Sequence, residues 1–383
     1  MIKKGISWIH RWLGIITGLV VIIISLTGCI YVFVDELKAV FYRDRLFVQT
    51  THQTTQPLSV LMANARKALG KEIDISRCDI YPSADRSWIF RAIKTNPDAI
   101  GHWNYYEYYY RVYMNPYTGS VIQVEDTRNE FFQLVLSLHT DMLLGHRIGQ
   151  PLVGICVLIF IVLLLSGLVL WWPKKGKKKV LKQAFTIKWK AKFRRINYDL
   201  HNTLGFYVLV PALIIALTGT VYSFKWMDAS IYAIFSGGKQ KTERRPSPIQ
   251  TSGTTIALDR ALSDVLNKYP KADMISTRFS RQPGAPYDFQ VRLQPGRTYH
   301  FNWLFYNATT GHLLSSYGTA DLQLAEKVRA LNFDLHVGSF AGFPGKILGF
   351  CICLICASLP ITGFIIWLRP KKKKNKLPKL LSS

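Results

Sequence analysis

Four stretches of this chain, about 12–34, 151–172, 203–224 and 346–368, are long, apolar and almost free of charge. Each meets the roughly 20 apolar residues that a helix needs to cross a bilayer. Inside lipid every backbone N–H and C=O must find its partner within the protein, so such segments have to be helical. As core helices of a soluble protein they would be too long and too uniformly apolar. Four transmembrane helices are therefore expected.

Charge orients them. The 383 residues carry 49 Lys and Arg against 23 Asp and Glu, a formal net charge of +26. Lys3, Lys4 and Arg11 lie at the start of the first span, a basic run from Lys174 to Arg195 separates the second from the third, and Arg369 to Lys379 follow the fourth. Basic flanks stay in the cytoplasm. Both termini are then cytoplasmic, and the long segments after spans one and three lie outside. Contact with the lipid bilayer and its anionic headgroups accounts for the basicity, so no nucleic acid is expected as a partner.

Cys29, Cys156, Cys351, Cys353 and Cys356 lie in the apolar runs and only Cys78 lies elsewhere, which is no disulfide framework. The stretch Cys351–Cys356 reads as soft helix packing rather than a metal motif. Met1 to Cys29 has the outline of a lipoprotein signal. However, Leu-Thr-Gly at 26–28 recurs at 217–219, and the apolar run continues through Phe33. A retained span is expected.

That recurrence belongs to a longer one. Trp8–Phe33 and Asp199–Phe224 align without a gap: His10 with His201, Gly14 with Gly205, Leu-Thr-Gly with Leu-Thr-Gly, Tyr31 with Tyr222 and Phe33 with Phe224. Later, 138–154 compares with 335–349, matching His139 with His336 and Gly145 with Gly342. Gly167, Trp171 and Pro173 then match Gly363, Trp367 and Pro370. The chain reads as two copies of a span, an outer module and a span. Parallel repeats of this kind are related by a pseudo-twofold axis along the membrane normal.

The boundaries follow. A first transmembrane helix occupies 1–36 and an extracytoplasmic module 37–130. Residues 131–173 lead into and form the second span, and 174–200 make a basic cytoplasmic loop. The third span is 201–225, the second module 226–330, and 331–369 lead into and form the fourth span. A basic tail, 370–383, ends the chain. In the first module 58–70 has helical spacing, with strand-like runs at 77–82, 87–93, Trp103 to Tyr113 and 120–124. In the second, 255–269 reads as a helix, 287–293, 299–306 and 312–316 as strands, and 237–253 as a flexible loop. The turn Asn115–Gly119 matches Asn307–Gly311. The expected fold is a membrane four-helix bundle from two parallel repeats, with two extracytoplasmic α+β modules.

Topology puts His10 and His201 at the cytoplasmic edge, and His139, His146 and His336 at the outer edge. A twofold axis sets His10 opposite His201 and His139 opposite His336, in a bundle core where cofactor sites are built from facing helices. Gly14 and Gly205, one turn beyond His10 and His201, leave a flat space for a planar ligand. Zinc normally takes four ligands, or three plus water, and no cysteine or carboxylate is well placed at the cytoplasmic level. A haem needs only two axial ligands. Two pairs would hold two b-type haems, and no Cys-x-x-Cys-His is present for covalent attachment. The alternative is that these histidines are interfacial anchors or hydrogen-bonded core residues.

The His-x-x-x-Gly start with its Leu-Thr-Gly end, the Leu-His before a span ending in Trp-Trp-Pro, and the Tyr-x-Asn-Pro-x-Thr-Gly turn resemble the PepSY-associated transmembrane-helix family, often described as iron-regulated membrane proteins. The resemblance covers nearly the whole chain and implies that the outer modules are PepSY-like. The family includes ferric-siderophore reductases of the bacterial inner membrane that carry b haems on membrane histidines. It thus implies His10, His139, His201 and His336 as haem ligands, a ferric siderophore as electron acceptor, and a role in iron uptake. The chain has no dinucleotide fingerprint, and a loop of 174–200 cannot house a nicotinamide or flavin domain. The donor would be a quinol or a separate cytoplasmic reductase. His146 is a candidate substrate contact, propionate contact or alternative ligand. Two other readings stand: PepSY-like modules that hold peptides or regulate proteases on a membrane anchor, and a siderophore permease, which would need helices broken near the midplane.

Overall fold

The computed structural model describes residues 2–50, 53–172, 183–248, 253–280 and 282–368. The basic residues Lys174 to Lys182 and the 370–383 tail lie outside the described residues. Among the described residues three helices are long and apolar enough to cross a membrane: Ile2–Tyr31, Gly149–Trp171 and one that ends at Trp367 and is continuous from Gly342. A fourth span exists if the bent pair Phe193–Tyr207 and Leu209–Ser223 counts as one.

That pair turns by 63° at Val208. Pro211 explains the break, because its ring clashes with the carbonyl four residues earlier, that of Tyr207, and it has no N–H to give. The break lies seven residues past His201, so the third run is bent near one end. Pro360, by contrast, sits inside an unbroken helix. The first helix packs on both the second and the fourth, and Leu209–Ser223 packs on the second. Small residues let the backbones approach. A Cβ on Gly154 would come within 2.7 Å of Ser223 and Phe224, and one on Gly18 within 3.2 Å of Pro360. Leu164, Val208, Leu209, Ala212, Ile352 and Cys356 form a buried cluster among the second, third and fourth apolar runs.

Beyond one end of these helices lies an antiparallel sheet of eight strands: β1 (Arg77–Ile80), β2 (Trp88–Thr95), β3 (Tyr106–Met114), β4 (Val121–Asp126), β5 (Met274–Arg278), β6 (Tyr287–Arg292), β7 (Phe301–Tyr306) and β8 (Leu313–Gly318). Their order is β4-β3-β2-β1-β5-β6-β7-β8. The two outer segments, read separately from the sequence, thus supply four strands each to one sheet. The seam is β1 against β5, with Arg77 opposite Arg278, Cys78 opposite Thr277, Asp79 opposite Ser276 and Ile80 opposite Ile275. Each half alone would leave an open strand edge, a row of unpaired backbone groups, and pairing the two edges removes both.

Alternation along the strands sets two faces. One is apolar, with Cys78, Phe90, Val112, Ile275, Phe289 and Leu304 all fully or almost fully buried beneath the helices Leu58–Leu69 and Thr255–Lys268. Those helices form where their spacing predicts. Strand β5 has no counterpart in the sequence reading, because its five residues mix polar and apolar side chains that are buried nearly alike. The strand expected from Trp103 begins only at Tyr106, since His102–Tyr105 close a helical turn. Both turns recur in detail: Asn115 Oδ1 accepts from the N–H of Tyr117 and Thr118, and Asn307 Oδ1 from that of Thr309 and Thr310.

A Thr277→Cys variant tests the seam. Directly opposed residues of an antiparallel pair lie within disulfide reach, so the new thiol should oxidise onto Cys78. With a protease site introduced between 173 and 182, the cleaved halves should stay joined on a denaturing gel until reductant is added. Halves that separate without reductant would show that β1 and β5 are not neighbours.

Candidate functional site

Helix ends bring four histidines into two pairs. His10 lies in the first helix, and His201 lies on the widened turn Leu200–Leu204. Their ring centroids are 6.4 Å apart. His139 is near the end of helix Phe131–Asp141, and His336 is the last residue of helix Leu324–His336. Their centroids are 6.2 Å apart. The Glu130 carboxylate starts the first of these two helices by accepting from the N–H of Phe132 and Gln133, at 3.0 and 2.9 Å. The chain reverses just past each ring, through Met142 in the left-handed region (φ 55°) and through Gly338 (φ 75°). Gly28, against which His139 packs, lies eighteen residues beyond His10, so the two levels stand about 27 Å apart along the first helix.

All four rings are held in the same way. Nδ1 of His10 meets Ser166 Oγ at 2.8 Å, with the Leu163 carbonyl beside the ring. Nδ1 of His201 meets Thr362 Oγ1 at 2.9 Å, with the Leu359 carbonyl beside the ring. Nδ1 of His139 meets Thr27 Oγ1 at 3.2 Å and Ile24 O at 2.8 Å. Nδ1 of His336 meets Thr218 Oγ1 at 3.1 Å and Ile215 O at 3.0 Å. Each carbonyl lies three residues before its hydroxyl, one helical turn back.

This arrangement fixes the tautomer. Every one of these hydroxyls donates its only hydrogen into its own helix: Ser166 to Leu163 O, Thr27 to Ile23 O, Thr218 to Ile214 O and Thr362 to Ser358 O. Toward the ring each hydroxyl can only accept, and a carbonyl only ever accepts. Nδ1 must therefore carry the proton, which leaves the Nε2 lone pair free, the form of a metal-binding imidazole.

A glycine follows each hydroxyl and lies against the ring. A Cβ on Gly167 would stand 3.5 Å from Cε1 of His10, on Gly363 3.1 Å from that of His201, on Gly28 3.3 Å from that of His139, and on Gly219 3.1 Å from that of His336. Gly14 and Gly205 sit elsewhere, facing Leu163 and Leu359 at ordinary contact distance. Nothing in the sequence analysis above singles out Ser166, Thr27, Thr218 or Thr362 as ring partners. The signal was there as a Ser-Gly or Thr-Gly pair at the right end of each span.

The geometry fits a metal held between two imidazoles. A metal–nitrogen bond of about 2.0–2.1 Å, with roughly 1.1 Å from each nitrogen to its ring centre, separates the two centroids by about 6.3 Å. Among the described residues no group of three or more His, Cys, Asp or Glu could hold a bare ion. The donor set suits a centre that brings the rest of its own ligands, as a haem does.

His146 takes a separate place. It stacks on Tyr105 with centroids 4.2 Å apart, and its Nε2 lies 3.6 Å from Asp141. Burial lowers the His146 pKa and pushes the Asp141 carboxyl up to about 6. His102 is buried in the sheet module, with Nε2 on the Arg128 carbonyl at 2.8 Å.

A charged cluster sits above the outer pair. Lys38 reaches Glu130 at 3.4 Å, and Tyr42 donates to the same carboxylate at 2.8 Å. Burial, reinforced by the neighbouring Arg111, lowers the Lys38 pKa from 10.5 to about 8.

Long apolar helices, two imidazole pairs and an outlying sheet define a polytopic membrane protein with paired-histidine sites. The chain belongs to the family described as PepSY-associated TM region, whose profile matches residues 7–369. No curated protein matches the chain.

Because the folded pKa of Lys38 lies below its unfolded one, the charged lysine works against the fold. That cost is fully present below about pH 8 and is relieved as pH rises toward 10.5. The melting temperature of the wild type should therefore rise by a few degrees relative to Lys38→Met between pH 7 and 10. A constant difference between the two would show that Lys38 is not desolvated.

Proposed function

We propose that the chain is a dihaem b-type electron-transfer protein of the bacterial inner membrane. In this reading it is a four-helix bundle of two parallel repeats with both termini in the cytoplasm. The domain boundaries given above apply, and the two sheet halves are PepSY-like. Electrons come from a quinol or a separate cytoplasmic reductase and leave to a ferric siderophore on the sheet side, freeing iron for uptake. The single observation that carries this reading is the repeated cradle, four imidazoles with Nδ1 committed and Nε2 free, paired at metal-bridging distance. Bound haem would supply one-electron carriage with no open coordination position.

The remaining parts are the protein's own. His10 and His201 would bind one group, and His139 and His336 the other. Ser166, Thr362, Thr27 and Thr218 hold the Nδ1 protons, which orients the rings and raises the basicity of Nε2. Gly167, Gly363, Gly28 and Gly219 let each ring lie against a helix, and Gly14 and Gly205, packed against Leu163 and Leu359, would line the first pair's site. The apolar spans exclude water, so one-electron carriers between them are insulated from side reactions.

Protein purified from haem-replete cells should show a reduced-minus-oxidised spectrum of two b haems per chain by pyridine extraction. His201→Ala should remove one and His336→Ala the other. Loss of the same haem in both variants would overturn the pairing. A colourless, folded protein would overturn the electron-transfer reading and leave that of a peptide-holding membrane protein.

The glycines give a graded test. Gly219→Ala and Gly363→Ala, whose Cβ would meet an imidazole at 3.1 Å, should shift the low-spin resonance of their own haem in electron paramagnetic resonance more than Gly167→Ala, at 3.5 Å, shifts its own. Equal shifts would show that ring contact does not set ligand orientation.

A further inference from the structure

The second face of the sheet carries an unusual row. Cross-strand pairing sets Arg111 opposite Arg91, Arg91 opposite Arg77, and Arg77 opposite Arg278. Four arginines thus stand side by side on four adjacent strands, crossing the seam between the two halves. The row is bounded by Glu125, opposite Arg111, and Asp288, opposite Arg278. Like charges directly opposed on a sheet destabilise it, so such a row needs anions to offset it.

The protein's own carboxylates offset only part. Asp79 is shared by Arg77 and Arg91, and Asp288 by Arg278 at 3.8 Å and Arg245 at 3.3 Å. Glu125 and Glu130 are shared among Arg45, Arg111 and Lys38. Among the described residues, seven cations share these four carboxylates, an excess of three positive charges. Nε of Arg91 and of Arg111 is buried without a partner among the described residues. The centre of the row is open: the side chains of Arg77, Arg91 and Arg278 are 32%, 30% and 48% exposed.

Two further features say what would settle there. Beside the row, Trp303, Phe305 and Tyr317 stack with ring planes 10–25° apart, and the Arg278 guanidinium lies 4.8 Å from the Trp303 ring centre. Phe305 is buried and the Arg244 guanidinium lies 5.2 Å from the Tyr317 ring centre, so a ligand with flat rings would meet Trp303, Tyr317 and the two guanidinium groups over them. The row also reaches the element that positions the outer histidine pair: Arg111 lies 3.7 Å from Glu130, whose carboxylate caps the start of the helix that carries His139 near its other end.

We propose that the arginine row is the acceptor site and that it selects an anionic, aromatic chelate of a trivalent metal, of the tris-catecholate kind, over neutral or cationic hydroxamates. A tris-catecholate complex of a trivalent ion carries three negative charges, equal to the local excess. The inference rests on the electron-transfer reading for its role and is tested apart from it. No bond forms or breaks on binding. In turnover one electron, supplied by the quinol or cytoplasmic reductase of the proposed function through the paired-histidine sites, would pass to the ferric ion and leave it ferrous.

The test uses redox-inert gallium complexes with the whole protein in detergent, read by tryptophan fluorescence and calorimetry. The gallium tris-catecholate should bind at least tenfold tighter than a neutral gallium trihydroxamate, with affinity that falls as salt rises. Arg278→Gln should weaken it at least tenfold with haem spectrum and melting temperature unchanged, and Arg278→Lys should recover part. Equal affinity for the two complexes, or an unaffected Arg278→Gln, would overturn the proposal. So would displacement of the complex by an equal concentration of inorganic phosphate, which would make the row a general anion site. A protein that binds the anionic complex but holds no haem would sink the electron-transfer reading and leave the binding site standing.

Discussion

The interaction on which this molecule turns is an imidazole laid against a helix at a glycine, with its Nδ1 hydrogen given to the turn just before. Each part depends on the others. Glycine lets the ring lie this near the helix surface: a Cβ would crowd Cε1 at 3.1 to 3.3 Å at Gly219, Gly363 and Gly28, and would just touch it at 3.5 Å at Gly167. Only at that approach does Nδ1 reach both a hydroxyl and the carbonyl one turn back. A polar ring buried among apolar helices would otherwise be costly. Here its one hydrogen is satisfied within the protein and its one lone pair is kept in reserve.

The cradle also decides which helices must be neighbours. His10 is held by residues of the second span and His139 by residues of the first. His201 is held by the fourth span and His336 by the third. Within each half of the chain, ring and cradle therefore tie one span to the other and tie the second span's lead-in helix to the first span. The rings then meet across the halves, His10 with His201 and His139 with His336. The sheet does the same outside the membrane helices, where neither half closes its own edge and β1 with β5 completes both. Two halves that each end in an unsatisfied edge and unpaired imidazoles have physical reasons to stay together.

Much of this was legible in the chain. Apolar length gave the spans, since hydropathy over some 20 residues outweighs local detail. Repeat spacing paired His10 with His201 and His139 with His336, because repeat-related residues fall at one depth. The helices at 58–70 and 255–269 and the two Asn-Gly turns follow from periodicity and from side chains that bond their own backbone. Three things were not legible. The bend at Val208 depended on Pro211 breaking its helix where Pro360 does not, and both prolines look alike in sequence. Strand β5 shows no alternation over Met274–Thr277, because these four residues are buried whichever face of the sheet they take, and only Arg278 is exposed. The hydroxyl partners of the histidines lie more than a hundred residues from them along the chain.

The sequence by itself determined that this chain enters a membrane and, through its repeated spacing, which four histidines meet in two pairs. Those follow from composition and period, which act over single segments and need no knowledge of neighbours. Only the tertiary structure decided that the two outer halves form one sheet, that four arginines line up across its seam, and that each histidine keeps its proton on Nδ1. Register across a seam and the tautomer of a ring are both set by which atom lies opposite. That is a property of contacts between segments distant in the chain, and no local pattern encodes it.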